Sequence, residues 1–297
     1  MRIGVIGLGD IARKAYLPVL ATRADLEVHL CTRDPEVLHW VGDSYRIPHR
    51  HADVDSLLSA GVDAAFVHAA TAAHVDVVSA LLDAGVHTYV DKPLTDNLSA
   101  AAALVDKARS AERSLMVGFN RRYAPVYRQL IDVQASLVLM QKNRLGLPGE
   151  LRRVVFDDFI HVVDTLRFLA PLADDLDVQA TVVDGLLHRL VVTLTGGGVT
   201  AIGLMNRDGG ATEEVLEVHG PGIKRRVVDM ADVVDHAGGV QTVSHRGDWT
   251  AVEQQRGFEA ICAQFLESVA AGLVLDAGDA LRTHEVCEAI VGAVAAQ

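Results

Sequence analysis

MRIGVIGLGDIARKAYLPVL, residues 1–20, is the stretch on whose reading the fold depends. Its apolar run from Arg2 to Ile6 has the length and side chains of a buried strand, and IARKAYLPVL reads as a helix. Between them, GLGDIA is either an ordinary glycine-rich turn or one that holds a pyrophosphate. Gly7 and Gly9 permit a sharp turn and a close approach of backbone to an anion, while Ala12 takes the third small position, where helix packs near strand. A strand before the motif and a helix after it are the context that favours the second reading. On that reading Gly7, Gly9, Asp10, Ile11 and Ala12 surround a bound dinucleotide.

The pattern continues outward. LEVHLC, AAFVHAA, VHTYVD and SLMVGF are further apolar runs, alternating with helix-like stretches such as HVDVVSALLDAG and NLSAAAALVDKARSA. This is a βαβ series, which implies right-handed crossovers and a parallel sheet over the first 119 residues. After GFNRRYAP the pattern changes. A polar helix is expected from about Tyr123 to Asp132. SLVLMQK, QATVVDG, LHRLVVTL, VTAIGLM, EEVLEVHG and IKRRVVDM then read as strands of a mostly antiparallel sheet, joined through glycine-rich segments. FEAICAQFLESVAAG and AGDALRTHEVCEAIVGAV close the chain as amphipathic helices.

Composition narrows the function. With 27 Lys and Arg against 39 Asp and Glu, the formal charge is −12, and no basic tail or aromatic platform points to nucleic acid. Cys31, Cys262 and Cys287 form no CxxC pair, so neither a disulfide framework nor a thiolate zinc site is signalled. No apolar run reaches the roughly 18 residues of a membrane span, and a cytoplasmic protein is expected. His49 and His51 form an HxH pair without convincing third and fourth ligands, so no metal is expected.

The end of the second strand, LEVHLCTRDPE, bears on the choice of cofactor. A carboxylate there binds ribose hydroxyls, whereas an arginine accommodates a 2′-phosphate. Thr32 and Arg33 are the first loop residues and favour NADP. Asp34 is the competitor, in favour of NAD, but DPE also reads as a helix N-cap with Pro35 at the first helical position.

HTYVDKPLT (87–95), LMVGFNRRYAP (115–125) and FDDFIHVVDTLRFLAP (156–171), with GLGDIA and VHAATAAH (67–74), resemble the Gfo/Idh/MocA oxidoreductase family over essentially the whole chain. VDKPL, LMVGFNRRYAP and DDFIHVVDT look closer still to its MviM-type subgroup. The resemblance implies an α/β fold: an N-terminal Rossmann doubly wound parallel sheet (1–119) binding the nucleotide, and a C-terminal α+β domain (120–297) with an open, mostly antiparallel sheet for substrate binding and oligomerisation. It implies hydride transfer between nicotinamide and a secondary hydroxyl or carbonyl of a sugar, polyol or similar small molecule, in a homodimer or homotetramer. The family's Glu-Lys-Pro here reads Asp91-Lys92-Pro93, with Lys92 holding the reacting oxygen. Its second signature maps to Asp157, Phe159, His161 and Asp164, with Phe159 at the family's glycine, expected to narrow the pocket or alter the helix start.

The residues support this independently. Asp157 and His161 are four apart and share a helical face, Asp164 follows three on, and a histidine between carboxylates suits a general base. Only LRRVVF is expected to connect Gly149-Glu150 to that helix. The basic segment QKNRLGLPGELRR (141–153) either holds a substrate anion or is a solvated edge. Ala70, Thr71, His74 and Asn120 are further cofactor candidates, with Asp91 and Lys92; His74 alternatively caps a helix, and Arg122 and Tyr123 alternatively lock the hinge. Two rival functions share these residues: a non-catalytic NAD(P)-binding sensor, and a redox-neutral enzyme that modifies a sugar with its cofactor tightly bound.

Overall fold

The computed structural model describes all 297 residues. Two compact units emerge, Met1–Gly118 with Phe258–Arg282 and Phe119–Gly257 with Thr283–Gln297. The chain therefore crosses between units three times, after Gly118, Gly257 and Arg282, where the sequence predicts one boundary near residue 119. The cause is the helix Phe258–Ala270: Phe258 packs edge-on to Tyr16, and Phe265 packs edge-on to Phe66 and Tyr89. Those rings belong to the first sheet and the helix after its first strand, so this late segment completes the first core.

The first sheet contains β1 (Arg2–Ile6), β2 (Glu27–Cys31), β3 (His49–His51), β4 (Ala64–Val67), β5 (His87–Val90) and β6 (Leu115–Val117), in the order β3-β2-β1-β4-β5-β6. Every pair is parallel. Ile3, Val5 and all of β4 are buried, as a sheet covered on both faces requires. The order reverses between β1 and β4, and that switch point fixes where a ligand crevice opens. Helices begin as their caps dictate: Asp34 accepts from the Glu36 and Val37 amides ahead of Pro35–Tyr45, and Asn97 from the Ala100 amide ahead of Leu98–Ser110. β3, with the sequence HRH, lacks the apolar alternation by which the other strands are read.

The second unit carries a nine-stranded sheet of β7 (Leu137–Asn143), β8 (Gly149–Glu150), β9 (Asp175–Val183), β10 (Leu186–Gly196), β11 (Val199–Asn206), β12 (Glu213–Gly220), β13 (Ile223–Val228), β14 (Asp232–Ala237) and β15 (Val240–Ser244). All pairings are antiparallel except β7 with β11. The helix expected over 123–132 is absent; a 3₁₀ turn at Asn120–Tyr123 and a single turn at Pro125–Arg128 replace it. Pro125 holds Ala124 in an extended conformation, which breaks the run. No helix is long and apolar enough to cross a membrane.

Candidate active site

In the first unit a cleft of about 660 Å³ opens at the switch point, lined among others by Gly7, Gly9, Arg13, Thr32, Arg33, His68 and Ala70. Its size suits a small-molecule ligand. Gly7 has φ +85°, and a Cβ there would lie 2.5 Å from the Ala69 backbone nitrogen. Only glycine lets the ends of β1 and β4 approach so closely. Gly9 has open space where a Cβ would stand, so its backbone is accessible from the cleft. At the far end Asp34 caps the helix through Oδ1, with Arg33 exposed beside it. A bared glycine turn, an arginine at the end of β2 and a buried imidazole without partners all fit a phosphorylated dinucleotide.

That imidazole belongs to His68, which sequence reasoning passed over although VHAATAAH contains it. The side chain is 6% exposed, and neither ring nitrogen has a hydrogen-bond partner. Burial, with a smaller contribution from His74, pushes its pKa down to about 3, so the ring is neutral. Tyr16 packs against it, tilted, with ring centroids 3.9 Å apart, and the Tyr16 and Tyr89 hydroxyls are 2.9 Å apart. Asp91 points into the same space: a Cβ on Gly118 would meet the Tyr89 and Tyr16 hydroxyls and Asp91 Oδ1 at 2.8, 3.1 and 3.2 Å. Burial pushes the Asp91 carboxyl up, against the charge of Lys92 and the Lys92 amide, which donates to Oδ1 at 2.9 Å. A histidine directly after a switch-point strand was the available signal.

The side chains of several expected cofactor contacts are engaged elsewhere or lie outside the cleft lining. Asp10 pairs with Arg13 at 2.6 Å and Lys14 at 2.8 Å, its carboxylate drawn along the helix by the i+3 and i+4 cations. Ile11 and Ala12 lie outside the cleft lining, Ala12 being fully buried. Thr71 opens the short turn Thr71–Ala73, also outside the lining. His74 is buried, with Nδ1 2.9 Å from the Pro93 carbonyl and Nε2 2.9 Å from the Ala69 carbonyl. It therefore ties the loop after β4 to the loop that carries Lys92. Lys92 is half-buried and its peptide bond to Pro93 is cis. Asn120 donates through Nδ2 to the Arg256 carbonyl at 2.8 Å, which makes it a brace within the second unit.

In the second unit, Asp157 and His161 lie where a helix passes through a π turn. Glu150 caps the helix by accepting from the Arg152 and Arg153 amides, so LRRVVF forms its first turns and is not a connection. The π turn Val155–Phe159 leads into Ile160–Leu169, a local irregularity frequent at functional sites. Phe159 is fully buried and faces β11, where Gly203 leaves room for it. Asp157 is exposed, 3.5 Å from Arg153, and His161 is half-buried. Asp164 is corrected as a partner of His161: it takes Arg122 through both oxygens at 2.9 and 2.6 Å and accepts from Thr283. Burial pushes its carboxyl up, against the Arg122 charge.

The basic segment is consumed internally. Asp158 takes Arg144 Nε at 2.7 Å and Arg207 at 2.9 Å, and Lys142 stands 3.5 Å away. Burial opposes the charge on Asp158, yet these cations hold its pKa down at about 2. Glu214 binds Arg121 at 2.9 and 2.7 Å, Tyr127 at 3.0 Å and Lys142 at 3.3 Å. Burial and the Arg121 charge lower the Lys142 pKa to about 8. Arg152 pairs with Glu288. Arg121, Lys142, Arg144 and Arg207 thus hold the second domain together.

Residues 1–119 match the model of the Gfo/Idh/MocA oxidoreductase family, NAD-binding Rossmann fold, and residues 125–237 match the YceM-like C-terminal domain. YceM of Salmonella typhimurium is 37% identical over 281 residues, 91% of this chain and 89% of its own. A Gfo/Idh/MocA family oxidoreductase from Vibrio cholerae, 34% identical, superposes with a TM-score of 0.95 over 100% of this chain and 99% of its own. The dehydrogenase MviM from Clostridium difficile, 28% identical, gives 0.95 over 99% of each. More distant relatives include dehydrogenases named for D-xylose and myo-inositol. The chain belongs to the Gfo/Idh/MocA oxidoreductase family, and its first domain is an NAD-binding Rossmann domain.

Proposed function

We propose, from that membership, an NADP-dependent dehydrogenase or reductase acting on a secondary hydroxyl or carbonyl of a sugar, polyol or similar small polar molecule. The observation that carries the cofactor choice is the capping role of Asp34. With Asp34 Oδ1 accepting from two helix amides, Arg33 and Thr32 in the same cleft lining favour the adenosine 2′-phosphate, which an arginine fork suits. Bound NADP(H) would supply the hydride acceptor or donor at the nicotinamide. Lys92 holds the reacting oxygen and stabilises alkoxide charge. His161 takes the hydroxyl proton on a ring nitrogen, or returns it in reduction, and Asp157 orients the ring. The xylose and inositol dehydrogenases among the relatives support the substrate class. Three free, buried cysteines suit the cytoplasm, and the open second sheet suits homo-oligomer formation.

The test is titration of the cofactor-free protein with NADPH and NADH, followed by nicotinamide fluorescence. Arg33→Ala should weaken NADPH about 10- to 100-fold, the loss of charge-assisted hydrogen bonds, and leave NADH unchanged. Equal affinity for both nucleotides in wild type overturns the NADP assignment. No binding of either removes the cofactor reading altogether. On a substrate found by screening, Lys92→Ala should lose turnover by orders of magnitude while retaining the nucleotide.

A further inference from the structure

The HxH pair at 49 and 51 was expected to lack further ligands, and the sheet register supplies them. β3 runs parallel to β2 with His29 opposite His49 and Cys31 opposite His51. Side chains two apart share a face, so Glu27, His29, His49 and His51 project from one side of the sheet edge. His29 Nε2 lies 3.0 Å and His49 Nε2 3.9 Å from Glu27 Oε1. The three ligand atoms lie within 4.8 Å of one another; the His29 and His49 rings stack at 4.4 Å, and the half-exposed His49 ring would turn for both in-plane lone pairs to converge on one ion. Zinc bonds of about 2.0–2.1 Å place tetrahedral donors about 3.3 Å apart, between the two carboxylate distances observed.

We propose that Glu27, His29 and His49 form a site for a divalent transition-metal ion of the zinc class, with His51 orienting His29. Two imidazoles and one carboxylate suit Zn²⁺, Co²⁺ or Ni²⁺ and not Mg²⁺ or Ca²⁺, which take oxygen ligands. His29 is buried, while His49 and Glu27 are about half exposed, so the ion has both an anchored ligand and a solvent path, with water completing the shell. His29 Nδ1 is 3.0 Å from His51 Nε2. In the metal-bound form Nδ1–H of His29 donates to His51 Nε2 and leaves Nε2 free for the ion, the outer-shell arrangement that fixes a ligand's tautomer. Without metal, Nε2–H of His29 donates to Glu27 and Nδ1 accepts from His51, so loading exchanges tautomers without net release of a proton from the neutral rings. Arg2, whose Nε is 3.7 Å from Glu27 Oε1, is the competing cation.

The site would act as a clamp. β3 has three residues, and the segment after it (Ala52, Asp53, Val54) lines the cleft, as Thr32 and Arg33 after β2 do. The proposal stands apart from the nucleotide reading, because its readout is metal binding and thermal stability. The full chain, stripped with a chelator, is titrated with Zn²⁺ against a chromophoric chelator, and with Co²⁺ by visible absorption. One tightly held equivalent is expected, with the intense bands of four-coordinate Co²⁺ and a zinc-dependent rise in melting temperature. His49→Gln, at an exposed position, should retain the metal-free melting temperature and lose affinity at least about tenfold; His51→Phe should lose about 10- to 100-fold. His236→Gln, on the second sheet, should bind as wild type does. All three thiols are buried and do not compete. Absence of a stoichiometric equivalent, or binding in His49→Gln equal to wild type, overturns the site.

Discussion

His68 illustrates how one residue couples stability to the cleft. A buried imidazole with two unmet nitrogens forgoes hydrogen bonds that water would supply, at a cost of about 1–3 kcal/mol. Its pKa of about 3 lies well below that of an unfolded histidine, near 6.5. As pH falls below 6.5 the unfolded chain takes up a proton that the folded chain refuses until pH about 3, so its contribution is fully present above 6.5 and is lost through that window. The slope is about 1.4 kcal/mol per pH unit for one proton. His68→Leu, similar in volume and without polar atoms, should therefore be more stable than wild type at pH 5 by about 1–3 kcal/mol, with a shallower pH dependence. Urea unfolding between pH 4 and 8 checks this, and parallel curves for the two proteins would show that the imidazole finds a partner. Asp34 was legible as a cap because DPE spells one out. His68 and His74 were harder, since the same letter stands for an orphaned ring and for one held between backbone carbonyls, and only the packed loop tells them apart.

Among the elements, the helix bearing Asp157 and His161 depends most on a single glycine. A Cβ on Gly203 would lie 2.5 Å from Val162 Cγ1 and 2.9 Å from Leu166 Cδ1, with Phe159 at 3.5 Å. Gly203→Ala should push the helix off β11, costing about 1–3 kcal/mol by overpacking, and should reduce kcat by more than it weakens nucleotide binding. Unfolding and steady-state kinetics separate the two effects; unchanged stability would mean that the side chains simply rotate away. Beneath the helix, Glu214 is the shared counter-charge of Arg121 and Lys142. Glu214→Gln leaves both buried cations undercompensated and should cost about 3–5 kcal/mol by urea unfolding, and a loss below 1 kcal/mol would assign the stability elsewhere. The apolar strands between β1 and β13 were readable, but not β8, whose two residues Gly149 and Glu150 carry no apolar side chain. β3 was not, because HRH has no hydrophobic period, and the Arg121–Glu214 pair joins residues 93 apart, a separation no local pattern encodes.

At the scale of the molecule, the question is what makes the first domain a folding unit. Family matching ends it at residue 119, yet Phe258 and Phe265 pack against Tyr16, Phe66 and Tyr89 of its core. An amphipathic pattern shows which face of a late helix is apolar but not which sheet that face covers, and for that reason the sequence placed it with its neighbours. A fragment of residues 1–119 should then expose this aromatic face and aggregate or bind hydrophobic dye. Joining residues 1–118 to 258–282 through a short glycine-serine linker should restore a cooperative thermal transition. The linker need only be short, because a Cβ on Gly257 would touch the Asn120 carbonyl and the Ala124 amide at 2.4 Å, so the two chain segments run side by side at the crossing. Circular dichroism melting of both fragments decides the matter. Equal cooperativity would mean that the six-stranded sheet and its own helices suffice; a transition only in the joined fragment would make the late helix an integral part of the nucleotide-binding domain.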